Sequence, residues 1–337
     1  MPELRAASLN PFLALGRSAW ESALEEIDDA LRAGADVVPL EQASLYLPFE
    51  IGDYVDFYSS LEHATNLGRL FRPDAEPLLE NWRHLPVGYH GRAGTVVVSG
   101  TPVVRPCGQA RAPEDPEPLF GPSRRLDLEL ELGFVVGVGS EPGRPLGTAA
   151  FRDHVFGVVL VNDWSARDLQ AWEYQPLGPF LGKSFGTSTS AWVTPLALLE
   201  DRLVTAPEQD PEPLPYLRTT GDWGLDLDLE VELNGTVVSR TNARGLYWTM
   251  PQQLAHATVN GASVRTGDLF ASGTISGPER GSEGSLIELT WNGAHPLRLG
   301  DGSTRTFLED GDEVVLRGRA DEVELGDVRG TILPAPC

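Results

Sequence analysis

The chain has 337 residues, 41% of them hydrophobic, so it is long enough to bury one large core or two modest ones. Its 26 basic and 49 acidic residues give a formal net charge of −23. Such a surface repels phosphate backbones and anionic lipid headgroups, so we expect neither nucleic acid nor a membrane as a partner. The first residues show no secretory signal, and no stretch approaches the roughly 20 apolar residues of a membrane span. We therefore expect a soluble, cytoplasmic protein.

Cysteine and lysine are scarce. The two cysteines, Cys107 and Cys337, are too few for a disulfide framework, and neither stands in a spacing typical of zinc sites. Lys183 is the single lysine beside 25 arginines. Lysine offers a compact ammonium group that donates to one point, whereas arginine offers a fork. Either chance or a position that needs such a point donor explains Lys183.

Helix is predicted in only two places. The first helix runs from Asn10, a possible N-cap, to Gly34. Its core-facing side is predicted from apolar residues at helical spacing, namely Trp20, Leu24, Ile27 and Leu31. The second helix is short, begins at Thr249 and Pro251, and ends at Asn260-Gly261.

Alternating apolar and polar residues predict strands along most of the remaining chain. The clearest strand patterns cover residues 94–98, 126–132, 225–233, 285–291 and 313–316. The dipeptide Asn234-Gly235 is typical of a two-residue hairpin turn. The fold class is therefore mostly β with few helices, and the body from about residue 45 onward is expected to form one domain.

Two of these predicted strands carry rows of acidic residues. In residues 126–132 a period of two places the leucines on one face and Asp127, Glu129 and Glu131 on the other. Residues 225–232 repeat the same pattern. Such a row either binds a metal ion or forms a solvated strand face, and periodicity alone does not rank the two segments.

Two further segments place polar groups where sites are often built. Residues 162–168, Asn-Asp-Trp-Ser-Ala-Arg-Asp, follow the apolar run 158–161 and would emerge at a strand end. Residues 53–63 combine acids, two tyrosines and His63. A single histidine more often makes a structural hydrogen bond than serves as a catalytic base, and taken alone His63 favours the structural interpretation.

The chain resembles the fumarylacetoacetate hydrolase family from about residue 9 to its C-terminus. The segments that carry the resemblance are residues 51–54, 63–66, 85–92, 162–168, 176–187, 247–250, 271–277 and 308–314. The resemblance implies a homodimer and a β-sandwich-like roll preceded by a small SH3-like barrel. Because most of the barrel strands have no counterpart here, we expect residues 1–48 to be a helical remnant of a truncated N-terminal SH3-like region. Residues 49–337 would form the catalytic domain.

The resemblance also implies roles for particular residues. The general base falls on His63, and Glu288, expected on a strand, would orient it. The family's metal site falls on Asp56, Glu129, Glu131 and Asp163, with Lys183 and Thr187 in the same region. Charge stabilisation falls on Arg167, Gln170 and Lys183, and substrate binding on Tyr58, Arg72, Tyr89, Tyr174 and Thr274. All-oxygen ligands suit Ca²⁺ or Mg²⁺, with Mn²⁺ possible, and argue against zinc.

The activity implied by the resemblance is metal-dependent hydrolysis of a carbon–carbon bond in 4-fumarylacetoacetate. The products would be fumarate and acetoacetate, the last step of tyrosine and phenylalanine degradation, and the partner of the protein would be a small diketo acid. Similar sites in the superfamily serve other reactions, so fold likeness alone does not choose one. The alternatives are an acylpyruvate hydrolase or decarboxylase, and a non-catalytic module that binds a metal or a dicarboxylate.

Overall fold

The computed structural model describes residues 1–112 and 114–337. The α-helices are α1 (Asn10–Leu13), α2 (Arg17–Arg32), α3 (Leu61–Phe71), α4 (Phe151–His154), α5 (Arg167–Glu173), α6 (Met250–Thr258) and α7 (Leu286–Leu289). Short 3₁₀ turns lie at Glu3–Arg5, Leu40–Gln42, Glu80–Arg83, Ala93–Thr95, Thr148–Ala150, Leu196–Arg202, Pro215–Leu217 and Ala243–Gly245. Strands outnumber helices, which confirms the mostly β prediction.

The strands are short and numerous. The first eleven are β1 (Tyr54–Phe57), β2 (Gly88–His90), β3 (Val96–Val98), β4 (Val103–Val104), β5 (Cys107–Ala110), β6 (Leu119–Pro122), β7 (Leu126–Asp127), β8 (Leu130–Val136), β9 (Val155–Asp163), β10 (Ser165–Ala166) and β11 (Thr187–Thr189). The remainder are β12 (Thr194–Pro195), β13 (Leu203–Val204), β14 (Gly224–Leu225), β15 (Asp228–Leu233), β16 (Thr236–Asn242), β17 (Leu269–Ala271), β18 (Leu297–Arg298), β19 (Thr304–Arg305), β20 (Glu313–Ala320), β21 (Val323–Glu324) and β22 (Val328–Leu333).

Two large mixed sheets organise the molecule. The first sheet has eight strands in the order β2-β1-β17-β8-β9-β11-β3, with β12 also paired to β9. The second sheet has six strands in the order β16-β15-β20-β22-β4, with β21 paired to β20. Most neighbours are antiparallel, whereas β1 with β17, β3 with β11 and β4 with β22 are parallel. The sheets pack face to face, and Gly318 of β20 lies so close to Leu160 of β9 that an added Cβ atom would be 3.1 Å from that side chain.

Strand β9 is buried on both faces. Val158 and Leu160 belong to the core between the two large sheets. Val159 and Val161 belong to a second core, where α1 and α2 contribute Phe12 and Trp20. The alternation of a strand therefore sends successive side chains into two different cores, which is why this segment reads as one continuous apolar run.

The helix prediction for residues 10–34 is only partly correct. Gly16 has φ of 86° and separates α1 from α2. Trp20 and Ala23 of α2 are buried, but Ile27 and Leu31 are 49% and 53% exposed, so the predicted core-facing side was wrong for the second half. The helix contacts the core only through its first two turns. The second predicted helix is confirmed as α6, which begins with a capping box at Thr249.

The strand predictions are confirmed except for one segment. Residues 126–132 form β7 and the start of β8, and the Asn234-Gly235 turn with positive φ angles joins β15 to β16. Residues 285–291 do not form the predicted strand. They contain the short helix α7, because the carboxylate of Asp127 accepts the N–H groups of Leu286 and Ile287 at 2.7 and 3.1 Å. A contact between distant parts of the chain thus overrides the local alternation.

The N-terminal segment and the cysteines complete the fold. The N-terminal helices pack on the eight-stranded sheet, and the SH3-like origin of residues 1–48 and the division at residue 48 stay predictions. Cys107 on β5 and Cys337 form a disulfide that the sequence pattern did not predict. Over residues 1–112 and 114–337, no helix combines the length and the apolar character that crossing a membrane requires.

Candidate active site

Four buried carboxylates, three of them on the eight-stranded sheet, meet at one point. Asp56 lies on β1, Glu131 on β8 and Asp163 at the end of β9, while Glu129 lies in the break between β7 and β8. Strand β17 lies between β1 and β8, and its residue Ala271 pairs with both Asp56 and Gly133. The order of the strands therefore brings the four side chains together, with one oxygen of each within 4.8 Å of the others.

Two cations contact this carboxylate cluster. The Nζ atom of Lys183 lies 2.6 Å from Asp163 Oδ2 and also contacts Glu129. The Nη1 atom of Arg167 lies 2.7 Å from Glu129 Oε1. Lys183 and Arg167 are both buried, so their charges act in a low dielectric and are strong. The single lysine of the chain is thus a point donor between two carboxylates.

The pKa values of the cluster diverge for physical reasons. Burial raises the pKa of Asp56, Glu131 and Asp163, and repulsion from neighbouring carboxylates adds to the rise. Burial also opposes ionisation of Glu129, but Lys183 and Arg167 outweigh it and hold its pKa below the usual range. Without a further cation, the carboxylates far from Lys183 and Arg167 therefore resist ionisation.

The cluster fits a hard divalent cation. Asp56 Oδ1 and Glu131 Oε1 are buried and accept no hydrogen bond from the described residues, so each has an unused lone pair. Carboxylate oxygens alone are the donor set that Mg²⁺, Ca²⁺ and Mn²⁺ prefer. Thr187 Oγ1, predicted in the same region, donates to Asp163 Oδ1 at 2.8 Å. Protonated Lys183 has no lone pair to offer and acts instead as a donor to the carboxylates.

A histidine–glutamate pair lies beside the cluster. His63 is in the first turn of α3, whose N-cap Ser60 accepts the His63 N–H at 3.3 Å. His63 Nδ1 lies 2.6 Å from Glu288 Oε2. Burial opposes ionisation of Glu288, but His63 and the hydrogen bonds around the carboxylate lower its pKa. With Nδ1 paired to Glu288, Nε2 is the ring nitrogen left to act as a base.

Three residues that the sequence did not single out as site residues hold Glu288. Asn66 Nδ2 donates to Oε1 at 3.0 Å, and the hydroxyls of Ser276 and Ser285 donate to Oε2 at 2.9 and 2.7 Å. Asn66 follows His63 by three residues, and Ser285 precedes Glu288 by three, so helical spacing could have found both. Ser276 carries no comparable signal in the sequence.

A cavity of about 420 Å³ opens in front of these groups. His63 lines it together with Asp56 and Glu129 of the cluster. All of the predicted charge-stabilising and substrate-binding residues line the same cavity: Tyr58, Arg72, Tyr89, Arg167, Gln170, Tyr174, Lys183 and Thr274. Among the remaining predicted residues, Asp163 and Thr187 line a neighbouring cavity that shares Tyr89 and Lys183 with the first, while Glu131 and Glu288 are buried and line neither cavity. The structure thus brings every predicted site residue into one region.

The cavity wall is polar in one part and apolar in another. Arg167 Nη2 and Thr274 Oγ1 are buried there without a hydrogen-bond partner among the described residues. The apolar part comes from α3 and the segment after it, including Leu67, Phe71 and Trp82. A ligand that fits this wall has a polar, oxygen-rich portion next to the cluster and a hydrocarbon portion beyond it.

Comparison with known proteins agrees with this site. Residues 54–333 match a family model described as Fumarylacetoacetate (FAA) hydrolase C-terminal. The chain belongs to the fumarylacetoacetate hydrolase family. It is 49% identical to the fumarylacetoacetase of Rattus norvegicus, over 97% of this chain and 84% of that protein. The fumarylacetoacetase of Arabidopsis thaliana is 47% identical, over 98% of this chain and 83% of that protein.

Solved structures confirm the fumarylacetoacetate hydrolase fold. A fumarylacetoacetate hydrolase from psychrophilic Exiguobacterium antarcticum superposes with a TM-score of 0.56 over 99% of this chain and 90% of that one, at 17% identity. At that identity the likeness shows the fold alone. The family model and the relatives together identify the chain as a hydrolase of this family.

Replacing Glu131 with Gln tests the metal site without using activity. Mg²⁺, Ca²⁺ or Mn²⁺ at about 100 times its dissociation constant should stabilise the native protein by about 2.7 kcal/mol, and EDTA should reverse the effect. Glu131→Gln keeps the shape but removes the charge of a predicted ligand, so its melting temperature should respond much less to the metal. Differential scanning calorimetry measures both.

The matched control is Glu230→Gln, on the second acidic strand β15, where Arg240 and Arg317 pair with the carboxylate at the surface. Its response to the metal should equal that of the unmodified protein. An undiminished metal response in Glu131→Gln would show that the cation binds elsewhere.

Proposed function

We propose that this protein hydrolyses fumarylacetoacetate to fumarate and acetoacetate with a bound divalent cation. Relatives of nearly half-identical sequence are fumarylacetoacetases, which supports the substrate. The observation that carries the proposal is that His63, paired with Glu288, lines the same cavity as Asp56 and Glu129 of the carboxylate cluster. A decarboxylase has less need of a base directed at water, so the presence of the His63–Glu288 pair favours hydrolysis.

The reaction breaks the bond between the fumaryl carbonyl carbon and the adjacent methylene carbon. Water supplies a hydroxyl group to the carbonyl carbon, which becomes the new carboxylic acid of fumarate and releases its proton to the solvent. The bonding electrons leave with the methylene carbon, and a proton completes acetoacetate. A base must therefore act at the water and positive groups must act at the departing enolate.

His63 is the base in this proposal. Its Nε2 atom takes the proton from water as the oxygen attacks, and Glu288 holds the Nδ1–H and stabilises the imidazolium that forms. The same imidazolium can return the proton to the methylene carbon. General-base catalysis typically contributes about 10² to 10⁴ in rate, so electrostatic stabilisation must supply much of the remainder.

Arg167, Gln170 and Lys183 stabilise the negative charge that develops on the departing enolate. Arg167 is held by its Nε and Nη1 atoms, while its Nη2 is buried without a partner in the described structure, and we assign this donor to the substrate. Gln170 Oε1 accepts from Arg167 Nη1 at 3.3 Å, which fixes the amide beside the guanidinium. Asp56, Glu129, Glu131 and Asp163 would hold a divalent cation, which would supply Lewis-acid chemistry to the diketone.

The remaining wall residues bind and orient the substrate. Arg72 is suited to bind one of the terminal carboxylates of the substrate. Its Nη2 atom donates to the carbonyl of Pro77 at 2.7 Å, while its buried Nε atom has no partner in the described structure. Tyr58, Tyr89, Tyr174 and Thr274 offer hydroxyl groups around the same cavity. These local positive and polar groups capture a dianion that the net charge of −23 does not attract from a distance.

We also propose a homodimer in the cytoplasm, with Mg²⁺ or Ca²⁺ as the resident ion. Large apolar side chains are exposed on the β5–β6 hairpin, at Phe120, and after α5, at Leu177 and Phe180. Exposed apolar surface of this kind is typical of interfaces. Sedimentation velocity should show a dimer that Leu177→Ser together with Phe180→Ser weakens, and a monomer in the unmodified protein would contradict it.

The direct test of the proposed reaction follows the diketone absorbance of fumarylacetoacetate. Absorbance should fall when the purified protein is added with Mg²⁺, Ca²⁺ or Mn²⁺, and chromatography should show fumarate and acetoacetate in equal amounts. EDTA should stop the reaction, and restored metal should restart it. No loss of absorbance with folded, metal-loaded protein would contradict the proposed substrate.

Replacing His63 with Ala tests the base. The variant should lose at least about 10² in kcat because the cavity carboxylates Asp56 and Glu129 would be engaged by the cation, Arg167 and Lys183, which leaves His63 as the base for water. Its KM and its melting temperature response to metal should change little, since the carboxylate cluster remains intact. His154→Ala, whose ring contacts the carbonyl of Val138 away from the cavity, is the matched control. Unchanged turnover in folded His63→Ala would remove His63 from the mechanism.

A further inference from the structure

Asp127 is a fully buried carboxylate that accepts four hydrogen bonds. Its Oδ1 atom accepts the N–H groups of Leu128 and Leu286, at 2.8 and 2.7 Å. Its Oδ2 atom accepts Arg167 Nε at 2.8 Å and the N–H of Ile287 at 3.1 Å. Asp127 does not line the cavity. The carboxylate of Asp127 therefore interacts with protein groups and not with a ligand.

The long-range partners of Asp127 belong to two different parts of the active site. Arg167 begins α5 and extends its guanidinium to Glu129 and into the cavity wall. Leu286 and Ile287 begin α7, whose next residue is Glu288, the partner of His63. The Asp127 carboxylate therefore contacts both Arg167, which stabilises charge, and the backbone of the helix that carries Glu288.

The contact at Arg167 Nε also decides which guanidinium nitrogens remain for the substrate. Because Asp127 takes Nε, only Nη1 contacts Glu129, and Nη2 is left unpaired. Without Asp127, the arginine fork would be free to pair with Glu129 through two nitrogens, the geometry that arginine and carboxylate prefer. Such pairing would withdraw Nη2 from the substrate.

We propose that Asp127 is a positioning residue that fixes Arg167 and Glu288 relative to each other. This inference rests on the proposed function, because it assigns Arg167 to the departing enolate and Glu288 to the base. The two groups act at opposite ends of the bond that breaks, so the separation between them must match the substrate. Misplacement by about 1 Å can cost on the order of 10² in rate.

Asp127→Asn tests the proposal with nearly unchanged shape. The amide keeps one acceptor oxygen but turns an NH₂ group toward either Arg167 or the α7 backbone. The expected result is a fall in kcat of about 10- to 100-fold, typical of the loss of such a supporting contact. KM for fumarylacetoacetate and the metal-induced rise in melting temperature should stay near their unmodified values. Asp228→Asn, an exposed aspartate on the second acidic strand, is the matched control and should leave turnover unchanged.

Double variants separate positioning from general stabilisation. If Asp127 acts through Arg167 and Glu288, Asp127→Asn should lower kcat much less in an Arg167→Lys or Glu288→Gln background than alone. Losses that multiply in both backgrounds would overturn the proposal. Unchanged kcat in Asp127→Asn, with His63→Ala inactive, would overturn this inference and leave the proposed function intact. An active His63→Ala would instead reject the proposed function.

Asp127→Glu serves as the measured variant if Asp127→Asn does not fold. It keeps the charge but moves the carboxylate by one methylene, so kcat should fall again while metal binding persists. Normal turnover in Asp127→Glu would overturn the proposal. Failure of both variants to fold would assign Asp127 a structural role alone and would equally overturn it.

Discussion

Burial of four carboxylates at one point is the constraint on which the rest of the site depends. Two unit charges about 4 Å apart repel by about 4 kcal/mol at an effective dielectric of 20, and four carboxylates make several such pairs. Lys183 and Arg167 offset at most two of the four charges. The charge that remains, together with unused lone pairs on Asp56 and Glu131, is what a divalent cation would satisfy. Lys183, Arg167 and the proposed cation thus all reduce the repulsion among the buried carboxylates.

The fold keeps these charges together because β9, which ends in the cluster, is packed against a core on each of its faces. Strand β9 has one core on each face, so the strand that ends at Asp163 cannot shift without disturbing both cores. The His63–Glu288 pair is attached differently. Hydrogen bonds from Leu286 and Ile287 to Asp127 tie α7 to strand β7, and the contacts of His63 and Asn66 with Glu288 tie α3 to α7. The carboxylate cluster and the base therefore rest on separate elements, and side-chain contacts must set the distance between them.

Local sequence patterns predicted some elements well and others poorly. The alternation in residues 126–132 correctly placed the acids opposite the leucines, but it did not distinguish a buried row from a solvated one, because burial depends on what covers the other face. Residues 225–232 show the same alternation, and there Asp228 is exposed. The strand predicted at Glu288 became a helix because a carboxylate about 160 residues earlier in the chain accepts its first N–H groups. Ile27 and Leu31 kept helical spacing but found no core to contact.

The site itself could be predicted only through the family resemblance. Asp56 and Asp163 lie on strands that are far apart in the chain, and no local period relates them. The contact of Ser276 with Glu288 and the double role of Asp127 depend on the folded arrangement alone. A site built from several distant segments can therefore be recognised in the structure but hardly from the periodicity of the sequence.

Anomalous diffraction from crystals grown with Mn²⁺ tests the central claim most directly. The account predicts one strong manganese peak among the carboxylate oxygens of Asp56, Glu129, Glu131 and Asp163, with Lys183 outside the ligand set. A peak at another place, or none at saturating Mn²⁺ in well-ordered crystals, would contradict the claim that a divalent cation satisfies the buried cluster.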